Sequence, residues 1–227
     1  MRFIIKEQPY EEVIAAGKYR YERDGRPTGA VEQWRLTAVT DGYQFLRVDL
    51  DARDAPSGHT YLYHAVVHPD GSVERLKYRF WGGGLDIVGD IVLAETAVTA
   101  TRIYNGQASE QVLDLPKGYR FWFPSVAGLH FAGWRGNDPK TAVTLNGQIG
   151  GPDTLAAQVV AFECYPTITD YLAREIAGQV RQYSPWRLSW NDQIRVIWRS
   201  AENGWPLGLE RGDGLTAVAS QLIRYKT

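Results

Sequence analysis

Residues 70–82 read DGSVERLKYRFWG. After the Asp70-Gly71 pair, Leu76, Tyr78 and Phe80 alternate with Arg75, Lys77 and Arg79. A period of two marks a strand with one face buried and the other wet. The same alternation recurs on both sides of this stretch. Leu46, Val48 and Leu50 oppose Arg47, Asp49 and Asp51, Trp34 and Leu36 oppose Arg35 and Thr37, and Trp186, Leu188 and Trp190 oppose Arg187 and Ser189. One wet face per strand fits an antiparallel sheet, because parallel strands are buried on both faces.

The turns say the same. Asp-Gly or Asn-Gly stands at 24–25, 41–42, 70–71, 105–106, 146–147, 203–204 and 213–214. Asn and Asp tolerate a left-handed backbone and Gly adopts positive φ without steric cost, so these pairs suit tight hairpins. About nine to eleven strands are expected, drawn from segments 17–24, 29–39, 43–52, 60–68, 73–81, 91–104, 108–114, 141–147, 157–164, 179–190, 193–200, 206–211 and 215–225. One or two short helices are expected. One covers 167–177, with a capping-box-like Thr167 and Asp170 and a terminating Gly178; the other covers 9–16, between Pro9 and Gly17. No Pro/Ser-rich linker divides the chain, so residues 1–227 read as a single β domain.

Composition narrows the function. Lys plus Arg is 25 and Asp plus Glu is 26, a formal net charge of −1, which argues against nucleic acid as a partner. The lone Cys164 lies in an apolar run and excludes an internal disulfide and CxxC-type metal sites. Four histidines, with His64 and His68 on one strand face, fall short of a converging ligand set, so no metal and no other cofactor is expected. No GxSxG elbow, Walker loop or HExxH pattern is present, and no catalytic residue is assigned. No stretch approaches the ~18 apolar residues of a membrane helix. The apolar run Phe3–Ile5 is too short for a signal-peptide core, and a cytoplasmic location is expected.

The remaining signal is aromatic. Residues 115–134 read LPKGYRFWFPSVAGLHFAGW. Such a glycine-broken aromatic segment fits either a crossover packed into the core or a lid over the mouth of a curved sheet. Trp81, followed by Gly82-Gly83-Gly84, has the pattern of a residue that rims a pocket. Basic stripes at Arg75, Lys77 and Arg79 and at Arg187, Arg195 and Arg199 can hold an anionic head group, or can be wet faces paired with carboxylates.

The C-terminal stretch 193–225, QIRVIWRSAENGWPLGLERGDGLTAVASQLIRY, resembles the closing strands of LolA-like proteins of bacteria, which include lipoprotein carriers and glycolipid-binding families. The hairpin 29–51 and the step Leu115-Pro116-Lys117-Gly118-Tyr119 add to the likeness. The resemblance implies one strongly curved antiparallel sheet, a half-barrel or barrel, whose concave face forms an apolar cavity for acyl chains. The expected function is non-catalytic binding of a lipid-like small molecule. The expected binding residues are Phe80, Trp81, Tyr119, Trp122, Phe123 and Trp134, with Arg79 or Arg120 at the head group. Three alternatives stay open: a glycan-binding β-sandwich with exposed Trp and Tyr, an enzyme of chemistry that no motif names, and a structural or assembly protein that lends its sheet edge to a partner.

Overall fold

The computed structural model describes residues 1–56, 58–132 and 140–225. It is a mainly β structure with a single large sheet of 16 strands. The first half is a meander: β1 (Glu12–Arg23), β2 (Arg26–Ala38), β3 (Gln44–Asp51), β4 (Thr60–Val67), β5 (Val73–Gly82), β6 (Leu85–Leu93), β7 (Ala97–Tyr104) and β8 (Gln107–Asp114). A crossover carries β9 (Arg120–Phe121) and a short 3₁₀ turn, Gly128–Ala132. Then come β10 (Thr141–Leu145), β11 (Ala157–Pro166), β12 (Leu172–Ile176), β13 (Gln179–Trp190), β14 (Gln193–Ser200), β15 (Pro206–Arg211) and β16 (Leu215–Arg224).

The strand order is 8-7-6-5-4-3-2-1-16-15-14-13-11-10-9, with β12 also paired to β13. Every pairing is antiparallel except β9 with β10. The final strand returns to β1, with Tyr21 opposite Ala217, and so joins the two halves. The sheet does not close, and β8 and β9 are the ends of the order. β8 is almost wholly exposed and rich in polar residues, which discourages pairing with another chain.

The sheet must curl. β4 and β11 stand eight steps apart in the order, about 38 Å if flat at ~4.8 Å per strand. Yet Phe123 meets Tyr63 of β4 at a ring separation of 4.7 Å, and its chain neighbour Trp122 meets Phe162 of β11 at 5.4 Å. One short segment can touch both only if the sheet wraps around it.

The alternation decides which side chains face inward. Leu46, Tyr63, Leu76, Tyr78, Phe80 and Ile91 are buried on the concave face. On that face, large rings lie over cross-strand glycines. Tyr78 faces Gly89 and Trp34 faces Gly17 in register. A Cβ on Gly89 would stand 2.0 Å from the Tyr78 ring, and one on Gly17 would stand 2.5 Å from the Trp34 indole nitrogen. The missing side chains let the rings lie flat on the backbone, and the Tyr78 hydroxyl reaches the Leu155 carbonyl at 2.7 Å.

The convex face of β2–β4 is covered by an N-terminal strap. The Arg2 guanidinium holds Asp49 at 2.6 Å and Arg35 holds Glu7 at 3.0 Å. Arg47 donates to the Ile5 carbonyl at 3.0 Å and to both Glu11 oxygens at 2.8 Å. Burial alone would raise the Glu11 carboxyl, but its hydrogen bonds from Arg47 and Thr37 outweigh that and hold it below its usual range.

Six of the seven Asx-Gly pairs lie at hairpin turns between consecutive strands. Asn146-Gly147 instead begins the longer connection from β10 to β11. More strands form than the turn signals suggest, because some turns use other residues. Gly83 and Gly84, both at positive φ, close the β5–β6 hairpin, and Ala94 and Ala97 close the next one with a 2.9 Å hydrogen bond. Both expected helices are absent. Residues 172–176 form β12, which turns through Ala177 and Gly178 at positive φ into β13. Residues 12–16 belong to β1. In each case pairing with a long neighbouring strand overrides a short stretch's weak helical preference.

Two buried histidines make stability pH-dependent. Burial, and next the Arg47 charge, pulls His64 down from 6.5 to about 4. Burial, and next Arg199, does the same to His130. Between about 6.5 and about 4 the unfolded chain therefore binds protons that the native state refuses, so stability falls as pH falls through this window. Urea unfolding at several pH values should show the loss. His64→Phe should make it shallower, because His64 Nε2 is buried without a partner among the described residues. An acid limb unchanged by the substitution would sink this assignment.

Candidate functional site

The aromatic segment is a plug. It leaves β8 at one end of the sheet order, pairs as β9 at the other, and from Phe121 to Leu129 fills the concavity. Phe121, Trp122, Phe123, Val126, Ala127 and Leu129 are all buried. Trp122 packs edge-on against Phe162 and Trp190, both at 5.4 Å. Of the two readings of this segment, the packed crossover is the one its burial matches.

One carboxylate fastens the plug to the sheet. Glu32 of β2 is fully buried. It accepts hydrogen bonds from the Val126 and Ala127 backbone N–H groups at 2.9 and 2.8 Å, and from the Tyr21 hydroxyl at 2.6 Å. Burial raises its carboxyl above the ordinary value, and the three donors pull the other way. At one end of the concavity Trp34 packs on Trp205 at 4.5 Å and His130 on Trp205 at 4.3 Å. Tyr19 donates to the Pro206 carbonyl and accepts from the Trp205 indole.

A large cleft of about 1450 Å³ opens beside the plug. Its walls come from the β1–β2 and β13–β14 hairpins, the β3–β4 connection, the end of β10 with the β10–β11 connection, the end of β15 and the plug itself. Tyr21, Tyr61, Trp122, Trp190, Leu209 and Leu215 supply apolar surface. His59, whose imidazole is pulled down by burial, lies on the β3–β4 side. Arg23, Asp24, Arg26, Asp192, Arg195 and Arg211 are its charged residues. Tyr21 and Val126 are at once wall residues and partners of Glu32, so the buried carboxylate shapes the cleft without lining it.

A second hollow of about 810 Å³ lies on the convex side, between Phe3 and Ile4 of the strap and the outer face of β5–β8. The basic stripe of β5 runs here and is paired. Arg75 and Lys77 meet Asp90, and Arg79 meets Asp86 at 3.6 Å. It is a wet face with carboxylates on the next strand.

Of the eight residues singled out from the sequence, the structure describes seven and does not bring those seven together. Trp122 lines the cleft. Phe80 and Phe123 are fully buried, and Phe80 supports Tyr61 and His59 from behind. Arg79 points to the convex face, where its guanidinium and that of Arg2 lie over the Trp81 ring at 5.6 and 5.0 Å. Tyr119 donates to the Ala94 carbonyl at 2.8 Å, near the β6–β7 turn. Arg120 opens β9 at the far end of the sheet order. Trp134 lies outside the described residues.

Sequence reading missed Tyr21, Tyr61, Leu209 and Arg211 as cleft residues. A usable signal existed: Arg195 and Arg211 share strand parity with the buried Ile197 and Leu209, so the alternation places two arginines on an inward face. Among the described residues no cluster of three or more His, Cys, Asp or Glu side chains could hold a metal. Cys164 is half-buried and burial pushes its thiol up to about 12, unsuited to a nucleophile at neutral pH. No helix among the described residues is long and apolar enough to cross a membrane.

The fold and cleft define an open, single-sheet β protein with a plugged concave face. No family model matches the chain, and no curated protein matches it. Solved structures similar to it include PNGF-II in the C2 space group, at 9% identity and a TM-score of 0.35, and PNGF-II in the P21 space group, at 10% and 0.36. Each alignment covers 95% of this chain, which spans 28% and 29% of those chains. TM-scores this low do not define a shared fold.

Proposed function

We propose that this protein binds an amphiphilic small molecule of the lipid or glycolipid class, without catalysis, in the cleft beside the plug. The observation that carries the reading is the cleft's construction. Aromatic and aliphatic side chains line it together with a group of polar and charged residues, the composition of a pocket for a molecule with an apolar body and a polar head. Its volume of about 1450 Å³ is ample for such a ligand. Removing apolar surface from water contributes about 25 cal/mol per Å², before the cost of association. The resemblance of residues 193–225 to LolA-like closing strands supports the same reading, since acyl chains occupy the concave side in that family.

Two measurements test it. Mass spectrometry of an organic extract from the denatured protein should find a stoichiometric acyl or isoprenoid species absent from an unrelated control. Titration with N-phenyl-1-naphthylamine, a neutral apolar probe, should saturate, and Trp190→Ala should weaken it about five-fold, the loss of ~1 kcal/mol of aromatic contact. A blank extract together with non-saturating titration would remove the cleft from consideration and favour the glycan platform.

A further inference from the structure

The cleft's charged wall carries more than a general polarity. β14 and β15 place Arg195 directly opposite Arg211 in register. Like charges facing each other across a strand pair are destabilising unless something between them is negative. Both side chains line the cleft, and so does Arg23 from the β1–β2 hairpin.

The available counter-charge is thin. Asp213 is shared, accepting from Arg211 at 2.9 Å and from Arg23 at 3.3 Å. Arg195 donates to two neutral oxygens, the Ile194 carbonyl and the Gln193 amide, both at 2.7 Å. Its guanidinium also stacks over Trp190 at 5.2 Å, which fixes its plane. The Arg211 Nε–H is buried with no partner among the described residues. Asp24 and Asp192 line the cleft as well, against four arginines there. Burial, and next the Arg211 charge, draws Arg195 down to about 10, so it remains a cation at neutral pH while feeling its neighbour.

We infer that Arg195 and Arg211 form an oxyanion-binding subsite, and that the cleft's ligand is an anionic amphiphile whose carboxylate or phosphate head lies between them. This rests on the amphiphile reading of the cleft and adds the head-group class. Planar guanidinium forks suit such oxyanions, giving paired, charge-assisted hydrogen bonds. Tyr61, Trp190, Leu209 and Leu215 line the same cleft and offer apolar surface to the ligand's body.

The test compares three probes by calorimetry on the full chain: dodecyl phosphate, its neutral counterpart monolauroylglycerol, and inorganic phosphate. Dodecyl phosphate should bind at least ten-fold more tightly than either of the others. Arg195→Gln and Arg211→Gln should each weaken dodecyl phosphate about ten-fold, and monolauroylglycerol by much less, so that the preference between the two collapses. Equal binding of the two amphiphiles, unaffected by the substitutions, overturns the subsite but leaves the cleft reading standing. Binding of neither amphiphile overturns both. Inorganic phosphate binding as tightly as dodecyl phosphate overturns the amphiphile and leaves a small-anion site. If either variant fails to fold, the wild-type preference for dodecyl phosphate over monolauroylglycerol decides the question alone.

Discussion

Glu32→Ala should lower the free energy of unfolding by about 3–5 kcal/mol, the range for removing one partner from a buried charged network. The carboxylate satisfies two plug N–H groups and the Tyr21 hydroxyl in a site that water does not reach. Alanine leaves all three without an acceptor. For a chain of this length the loss corresponds to a melting temperature lower by roughly 10 °C. Backbone amides of Val126 and Ala127 should lose hydrogen-exchange protection first, because the plug is no longer fastened. Glu32→Gln should cost less, since its carbonyl keeps one acceptor in place. The glutamine variant should also change the pH profile with a definite sign. Burial raises the native Glu32 carboxyl above 4.5, so just above that value the native state holds a proton that the unfolded chain has released. Stability therefore falls as pH rises from 4.5 through the raised native value, and Glu32→Gln should abolish that component. This opposes the histidine contribution, which grows with pH. A loss below about 1 kcal/mol for Glu32→Ala would mean that packing alone holds the plug.

Arg47→Met should be of similar size, about 3–5 kcal/mol, by a different route. Arg47 and Glu11 have side chains only 2% and 3% exposed. Methionine fills much of the volume but strands the Glu11 carboxylate in a buried site with only Thr37 and a backbone N–H as donors. It also releases the Ile5 carbonyl, so the strap should become sensitive to limited proteolysis. Glu11→Leu in the same chain should recover a large part of the loss, because a buried ion pair replaced whole by apolar groups is often near neutral. If the double variant is no more stable than Arg47→Met, the damage comes from lost packing around Phe3 and Phe45, which lie 6.0 and 5.6 Å from the guanidinium, and not from an isolated charge.

The two changes act on opposite faces of one sheet, and neither position stood out from the sequence. Glu32 reads there as a polar residue in an alternating strand, and Glu11 sits in a stretch that looks like a short helix. A carboxylate is buried at position 32 because residues 126 and 127, about a hundred positions later, bring two N–H groups to it. Nothing local encodes that meeting. Thr37 and Arg47 show the same limit. Their alternation assigns them correctly to the outer face, yet the strap buries them.

The sequence by itself determined the fold class and most strands, because both depend on local physics: a period of two sets which face is wet, and Asx-Gly pairs set where the chain reverses. It also determined that residues 115–134 are unusual, through their density of rings. Only the tertiary structure decided that residues 121–129 of it fill the concavity, that Phe123 within it and Phe80 of the sheet are sealed in the core, and that Arg79 points away. It alone placed Arg195 across from Arg211 beside Tyr61 and Trp190. The reason is physical. A strand's alternation says that a side chain faces inward, but only strand register and the curl of the whole sheet settle which other inward side chains it meets.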